Sequence, residues 1–292
     1  MRNPRRLLGF AAAFTLAAAG AARGETPLPA GVPDLVGARS LALGAYRGVV
    51  AGNDGIYLNA ASLAARQRYS IEAGWLLDRD GGSNALQVYD LSVVDSQTTG
   101  VTSGLAYTRV FSGPWIGNLL YVPLALPVTN HLFLGVTGKY QSLNGPMGES
   151  TSAINADASG FWRSDGGFAL GVSGYNLLDS GHTGEQPRAL GVGVSYGDDH
   201  RFNVAADWRG DFQRRGKLTS LLALGGELLL GDTVPIRASY VKDETRFADF
   251  WSVGAGLVSS SGLAIDAAYR QCIENPADRT FAVTLKLFLS SH

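Results

Sequence analysis

Strict alternation of apolar with small or polar residues is the feature that most constrains this chain. In the last segment every odd position from 281 to 289 is apolar, whereas the even positions between them include Thr284 and Lys286. The same period of two is found over residues 263–270, 202–209 and 132–140. A repeat of two residues indicates a β-strand with two unlike faces. From about residue 67 onward, the sequence therefore predicts a succession of strands.

The residues that alternate with the apolar ones indicate whether these strands lie in water or in a membrane. A soluble β-sandwich would also alternate, but its polar face is normally rich in charged residues. Here that face is mostly Gly, Ala and Ser, and charged residues make up only 17% of the chain. No apolar run after the N-terminus reaches the roughly 18 residues that a membrane helix needs. These features predict an all-β fold, a closed antiparallel transmembrane barrel with lipid outside and small residues inside.

Charged side chains on the inner face are the candidate lumen residues. Charges of both signs can pair and pack a closed lumen, or they can line a water path; mutual pairing is the expectation preferred here. The predicted inward charges are Glu72, Lys139, Asp157, Arg163, Asp207, Arg209, Glu227, Arg237, Asp266, Arg270 and Lys286.

Aromatic residues recur near the ends of the predicted strands. Such recurrence is typical of the interfacial girdles of outer-membrane barrels. The residues concerned are Tyr69, Trp75, Tyr107, Tyr121, Tyr140, Trp162, Tyr196, Trp208, Tyr240, Trp251 and Tyr269.

The connections support fourteen strands, an even number as bacterial single-chain barrels require. Short turns are predicted after the even-numbered strands and longer polar loops after the odd-numbered ones. This asymmetry predicts that both termini lie in the periplasm. The fourth strand is the weakest, because Pro123 and Pro127 cannot donate to a ladder. The predicted strands begin near residues 67, 85, 101, 118, 131, 153, 167, 188, 200, 219, 234, 250, 262 and 280.

The N-terminus has the layout of a cleaved secretory signal over residues 1–24. Arg2, Arg5 and Arg6 precede an apolar stretch, and Ala22 and Gly24 are small residues at the expected cleavage site. Cleavage there would remove four arginines, so the formal net charge of −1 would become mildly more acidic. The exported chain would begin at residue 25 and carry a single cysteine, Cys272, which cannot form an internal disulfide.

Residues 25–66, called the hatch here, alternate too poorly for a strand and precede the predicted barrel of residues 67–292. The hatch has a glycine–alanine–arginine opening, an aspartate-containing turn and an Asn-Ala-Ala-Ser-Leu stretch at residues 59–63. In this order the sequence resembles the FadL-type outer-membrane channels and their shorter PorV-like relatives. Looser matches occur at residues 134–140, 174–179, 225–227 and 236–240. The matching hatch positions are Gly37, Ala38, Arg39, Gly44, Asp54, Asn59, Ala61 and Leu63.

The resemblance implies that the hatch folds into the barrel and plugs it. Ala60 stands where the family has proline and Ser62 where it has glycine, so the hatch turn is expected to differ. For Asn59, an ordinary turn or helix cap and a hatch-specific contact are equally compatible with the sequence.

No catalytic set or cofactor motif is found in the sequence. His131, His182, His200 and His292 are scattered over different segments, and residues 197–200 are explained by a tight turn. The near-neutral charge gives no basic surface for nucleic acid. The chain is therefore interpreted as non-enzymatic, without a cofactor, in contact with outer-membrane lipid.

Two functions follow from the resemblance. The PorV-like relatives imply an anchoring component of a secretion or gliding machine, with other envelope proteins as partners. The FadL-type channels imply an alternative, uptake of hydrophobic small molecules. The predicted loops are short and polar, as at residues 242–246, and too small to enclose an acyl chain. On this ground anchoring is the preferred expectation.

Overall fold

A closed barrel of fourteen antiparallel strands accounts for most of the molecule. The computed structural model describes residues 36–80, 85–146, 148–178, 186–198, 201–212, 217–231 and 233–289, so the predicted signal segment lies outside the described residues. Each strand pairs with its neighbours along the chain, and β1 pairs with β14. The predicted fold class and strand count are confirmed. In chain order the strands are β1 (Tyr69–Asp80), β2 (Ala85–Asp95), β3 (Thr102–Ser112), β4 (Trp115–Pro127), β5 (Leu132–Asn144), β6 (Ser150–Arg163), β7 (Phe168–Tyr175), β8 (Ala189–Gly197), β9 (Phe202–Asp211), β10 (Thr219–Leu230), β11 (Val234–Asp243), β12 (Ala248–Val258), β13 (Leu263–Cys272) and β14 (Asp278–Leu289).

The barrel has a near end, where β1 begins and β14 ends, and a far end, where β1 ends and β14 begins. The predicted difference in connection length between these ends is weaker than expected. Gly113 and Pro114 alone connect β3 to β4 at the far end, and the one long connection there is residues 176–188. The strands continue into stretches predicted as loops, since Lys242 and Asp243 within residues 242–246 belong to β11 and pair with β12. Polar residues at the far end therefore belong to the strands and not to loops.

The two faces of each strand are as unlike as the alternation predicts. On β14, Thr280 and Thr284 are buried in the interior, whereas Phe281 and Leu285 are exposed on the outside. Across the barrel the outer face is an apolar band, as expected for a surface in contact with lipid. Most of the predicted girdle aromatics point outward, but Tyr121 points inward and packs against Tyr57 with ring centroids 4.9 Å apart. Among the described residues, no helix is long and apolar enough to cross a membrane.

The described part of the hatch, residues 36–66, lies inside the barrel. It contains helix α1 (Ala38–Leu43), helix α2 (Gly55–Leu58) and a 3-10 helix (Ala60–Ala65). Helix α1 contacts strands β10 to β14, α2 contacts β3 and β4, and the 3-10 helix contacts β4 to β6. Helices this short are not stable alone in water. Their positions are therefore set by packing against the wall.

The core forms where the hatch meets the wall. Fully buried hatch side chains include Leu41, Leu43 and Tyr46, and the wall contributes small residues opposite them. Gly225 lies so close to the hatch that an added Cβ would come within 1.8 Å of the Leu43 carbonyl oxygen. The hatch backbone thus lies directly on the inner face of the wall.

Candidate functional site

The hatch opening is fixed by a carboxylate, Asp54, that ties α1 to α2. Asp54 Oδ2 accepts the backbone N–H of Ser40 at 3.1 Å, and a Cβ on Gly37 would lie 1.9 Å from Asp54 Oδ1. Burial raises the pKa of the Asp54 carboxyl above its ordinary value, with Lys286 opposing the shift. Gly44 ends α1 with a φ of 65°, a conformation that favours glycine. Gly37, Gly44 and Asp54 therefore determine how the two helices fold together.

Arg39 attaches α1 to the wall through a chain of ion pairs. Its Nη2 lies 2.8 Å from Oε1 of Glu227 on β10. Glu227 also pairs with Arg237 on β11, and Arg237 Nη1 lies 2.6 Å from Asp266 Oδ1 on β13. Three predicted lumen charges thus meet one predicted hatch residue.

The series of ion pairs continues from Asp266 to Lys286 and Glu72, and through Glu72 it reaches the hatch again at Asn53. Lys286 Nζ lies 2.9 Å from Asp266 Oδ2 and 3.7 Å from Glu72 Oε2. Glu72 Oε1 accepts the backbone N–H of Asn53 at 3.1 Å. The charges are mutually paired in a buried lumen, an arrangement in which each member stabilises its neighbours.

A second attachment holds the turn after α1. Asp207 Oδ2 accepts the backbone N–H groups of Tyr46 and Arg47 at 2.8 and 2.9 Å. Arg47 Nη1 lies 3.2 Å from the same oxygen, and Arg47 Nε donates to the Tyr175 hydroxyl at 2.7 Å. Arg47 is absent from the set predicted from the sequence, because hatch residues follow no periodicity that would show which way they point.

The remaining predicted charges also face inward. Lys139 pairs with Asp157 at 2.6 Å, and the Arg163 and Arg209 guanidinium groups lie 5.6 Å from the ring centroids of Phe133 and Tyr175, respectively. These contacts place cations against carboxylate or aromatic partners.

The far end holds a further cluster of charged side chains. Of its members, only Arg270 is among the predicted lumen charges. Arg270 Nη2 lies 3.7 Å from Asp78 Oδ1, and Arg246 Nη1 lies 3.6 Å from Asp78 Oδ2. Arg246 Nη2 also lies 2.9 Å from Asp278 Oδ2. Asp78 has the same inward parity on β1 as Glu72, which is the signal that could have identified it.

Asn59 makes a hatch-specific contact and not a helix cap. Its Nδ2 donates to the Arg47 carbonyl at 2.9 Å and to the Gly160 carbonyl on β6 at 3.3 Å, whereas its side chain makes no capping hydrogen bond. Ser62, where the family has glycine, donates from Oγ to the Asn59 carbonyl at 2.7 Å. A glycine at position 62 could not make this hydrogen bond, because it has no side-chain hydroxyl.

The inner face of β2 to β4 is different in character, because it is mainly apolar. Val88 and Thr108 are fully buried there, but Leu86, Asp90 and Tyr121 are partly exposed although they point inward. Leu86 lies at the far end, Asp90 midway and Tyr121 nearer the near end. Partial exposure of these inward side chains shows that the hatch does not cover this face completely.

Towards the near end of this face, the ladder between β3 and β4 is interrupted. Ser103 pairs with Leu124 and Ala106 with Tyr121, but neither Gly104 nor Leu105 pairs with Val122 or Pro123. We call these four unpaired residues the β3–β4 seam. It is the only internal interruption in the fourteen pairings of the described strands, and it contains the proline that marks β4 as the weakest strand.

An apolar concavity of about 660 Å³ lies elsewhere, on the outer face of β1 and β12 to β14. Its lining includes the outward side chains of Leu257, Ile265 and Leu285. It therefore belongs to the lipid-facing surface and not to the lumen. Among the described residues, no group of His, Cys, Asp and Glu has the arrangement of a metal site.

Comparison with known proteins gives structural likenesses only. No family model and no curated protein sequence matches the chain. The CymD monoaromatic hydrocarbon channel superposes with a TM-score of 0.67 at 14% identity, covering 88% of this chain and 98% of that one. The toluene transporter TbuX of Ralstonia pickettii gives 0.66 at 12% identity over 86% and 97%. A FadL homologue of Pseudomonas aeruginosa gives 0.65 at 13% identity over 91% and 100%.

These likenesses confirm the fold that the hatch motif predicts. They extend over nearly the whole of each compared protein, two of which are described as a hydrocarbon channel and a toluene transporter. Together with the apolar outer band, they support the predicted location in a bacterial outer membrane.

Proposed function

Starting from a barrel with the fold of the FadL-type outer-membrane channels, we propose that this protein carries neutral hydrophobic small molecules across the outer membrane. The ligand enters at the far end, follows the inner face of β2 to β4 and leaves at the β3–β4 seam. The hatch closes this route at rest, since α2 stands against β3 and β4.

The observation that carries the proposal is that the incompletely covered inner face of β2 to β4 reaches the seam. Asp90, Tyr121 and Gly104, all inward and partly exposed, lie on successive levels of the wall between Leu86 and the near end. Elsewhere in the lumen, ion pairs join the hatch to Glu227 and Asp207, whereas the inner face of β2 to β4 is mainly apolar. An apolar path with few polar groups is the usual form of a site for a hydrophobic ligand.

The anchoring function preferred from loop length is replaced by this proposal. The loop argument assumed that a lipophilic ligand must be collected in an external vestibule. A route that enters the barrel at the far end and leaves through the wall needs no such enclosure. The compared structures, described as a hydrocarbon channel and a toluene transporter, also favour uptake over anchoring.

Uptake of radiolabelled ethylbenzene tests the proposal. The full chain is expressed in a Gram-negative host that lacks its own hydrocarbon channels, and initial uptake rates are compared with those of the empty-vector host. We expect a several-fold faster rate, with no increase in the entry of a polar sugar of similar size. A heat-modifiable band in the outer membrane verifies that the barrel is folded.

Ethylbenzene uptake no faster than in the empty host, with the folded band present, would overturn the proposal. Equal acceleration of ethylbenzene and sugar would also contradict it, because that result describes an open pore.

A further inference from the structure

Among the carboxylates that the structure describes on the inner face, Asp90 differs in having no hydrogen-bond or ion-pair partner. It lies on β2 between Gly74 of β1 and Thr108 of β3 in the strand register. Among the described residues it makes no hydrogen bond and no ion pair, whereas Asp207 and Glu227 each have several. A Cβ on Gly74 would lie 2.0 Å from Asp90 Oδ1, so the carboxylate rests directly over this glycine.

The surroundings of Asp90 are apolar on several sides. Leu76 and Val88 are fully buried, and Val110 is 6% exposed. A polar group in such surroundings costs free energy unless it is hydrogen-bonded. The acceptor oxygens of Asp90 are thus available to a donor that the described residues do not supply.

Two aromatic rings lie beside this acceptor. The Tyr57 hydroxyl lies 3.2 Å from Oγ1 of Thr108, the cross-strand neighbour of Asp90. The Tyr57 ring meets the Tyr121 ring edge to face at an interplanar angle of 82°. Asp90 is itself partly exposed, so the hatch does not cover it completely.

We propose that Asp90 accepts a hydrogen bond from the hydroxyl group of a neutral hydrophobic ligand, with an alkylphenol as the representative class. The inference rests on the proposed uptake function and specifies its ligand. A carboxyl group accepts a hydrogen bond in either protonation state. The aromatic edges of Tyr57 and Tyr121 suit a ring, and the aliphatic wall suits an alkyl substituent.

Neighbouring carboxylates on the same side of the lumen favour a neutral ligand over an anionic one. Asp54 and Glu72 add to the negative potential at Asp90, and Lys286 opposes them by a smaller amount. A carboxylate ligand would add a further negative charge beside Asp54 and Glu72. A hydroxyl-bearing ligand satisfies the acceptor without that repulsion.

The test compares 4-ethylphenol with ethylbenzene, which differ only in the hydroxyl group. Binding to the full chain in lipid nanodiscs is measured by titration calorimetry, and partition into empty nanodiscs is subtracted. We expect the phenol to bind about tenfold more tightly, the effect of one additional hydrogen bond. Asp90→Leu should abolish this preference while ethylbenzene binding persists, and Asp90→Asn should keep part of it because the amide retains an acceptor.

Gly74→Ala provides a second variant that leaves Asp90 in the sequence. Its Cβ would displace the carboxylate from its resting position, and the end of the Asp90 side chain can move to accommodate it. We expect a reduced preference for the phenol. Asp165→Leu is the matched control, because the Asp165 side chain is 96% exposed in a near-end turn, and it should bind both compounds as the wild type does.

Equal binding of the two compounds by the wild type, or an unchanged preference in both Asp90→Leu and Gly74→Ala, would overturn the role of Asp90. In that case persistent uptake of ethylbenzene leaves the proposed function standing. If neither compound binds and ethylbenzene uptake is absent, both proposals fail together.

Discussion

Asp207 Oδ2 accepts the backbone N–H of Arg47 at 2.9 Å while lying 3.2 Å from the guanidinium Nη1 of the same residue. The Asp207 side chain is fully buried, and Arg47 is 3% exposed. One wall carboxylate thus holds both the main chain and the side chain of one hatch residue. Removing one member of a buried pair leaves the other charge without compensation.

Asp207→Ala should therefore release the turn after α1 and destabilise the protein. We expect the free energy of unfolding to fall by about 3 kcal/mol, measured by urea titration in lipid vesicles. Hydrogen exchange at residues 45–48 should accelerate more than exchange in the strands. Asp165→Asn, at an exposed turn, is the control that should change neither quantity; unchanged exchange in Asp207→Ala would show that Asp207 does not hold the hatch.

Two adjacent glycines on β10 separate hatch docking from barrel stability. A Cβ on Gly225 would lie 1.8 Å from the Leu43 carbonyl oxygen, whereas the nearest atom to a Cβ on Gly226 is 3.8 Å away. Gly225→Ala should displace α1 and increase proteolytic cleavage in the hatch, because backbone atoms must shift. Gly226→Ala should behave as the wild type.

Heat modifiability of both variants checks that the barrel itself remains folded. Equal proteolysis of the two variants would contradict the close approach of the hatch to Gly225.

Much of the wall could be predicted from the sequence, because one face meets lipid and the other carries small or charged residues. The predicted starts at Ala85, Thr219 and Val234 coincide with the observed ones. On β4 the alternation does not show which way Tyr121 points, because residues 119–126 are apolar on both faces. Tyr121 was predicted in the outer aromatic girdle, but it points inward. There the wall contacts lipid outside and the apolar hatch inside.

The hatch contacts were less accessible to sequence reasoning. Arg39 was predicted as a hatch residue and Glu227 as a lumen charge, yet their pairing joins residues far apart in the chain. Arg47 and Asp90 were both missed. Asp90 shares the inward parity of Val88 and Ser92, but parity does not reveal whether a charge has a partner.

The ion-pair chain around Glu227 should show energetic coupling between hatch and wall. In a double-mutant cycle, Arg39→Met and Glu227→Gln should be non-additive by about 1–3 kcal/mol in the free energy of unfolding. Lys242, on the outer face of β11, gives the matched comparison, since Lys242→Met combined with Glu227→Gln should be additive. Additivity in both cycles would mean that the Arg39–Glu227 pair contributes no measurable coupling.

A disulfide across the β3–β4 seam should block transport if ligands leave there. Leu105 and Val122 occupy opposite positions of the interrupted ladder and both point outward. In a Cys272→Ala background, Leu105→Cys with Val122→Cys should lower ethylbenzene uptake to that of the empty host after oxidation, because the two strands can no longer separate.

The matched control is a disulfide at Tyr107 and Leu120, which face each other where the ladder is intact. Oxidation of this pair should leave uptake unchanged, since these strands are already joined there. Reduction should restore uptake in the seam variant, and mass spectrometry of the intact protein measures how completely each bond forms. Unimpaired uptake with a fully formed seam disulfide would place the exit elsewhere, because a covalent bond between β3 and β4 excludes passage between them at that level.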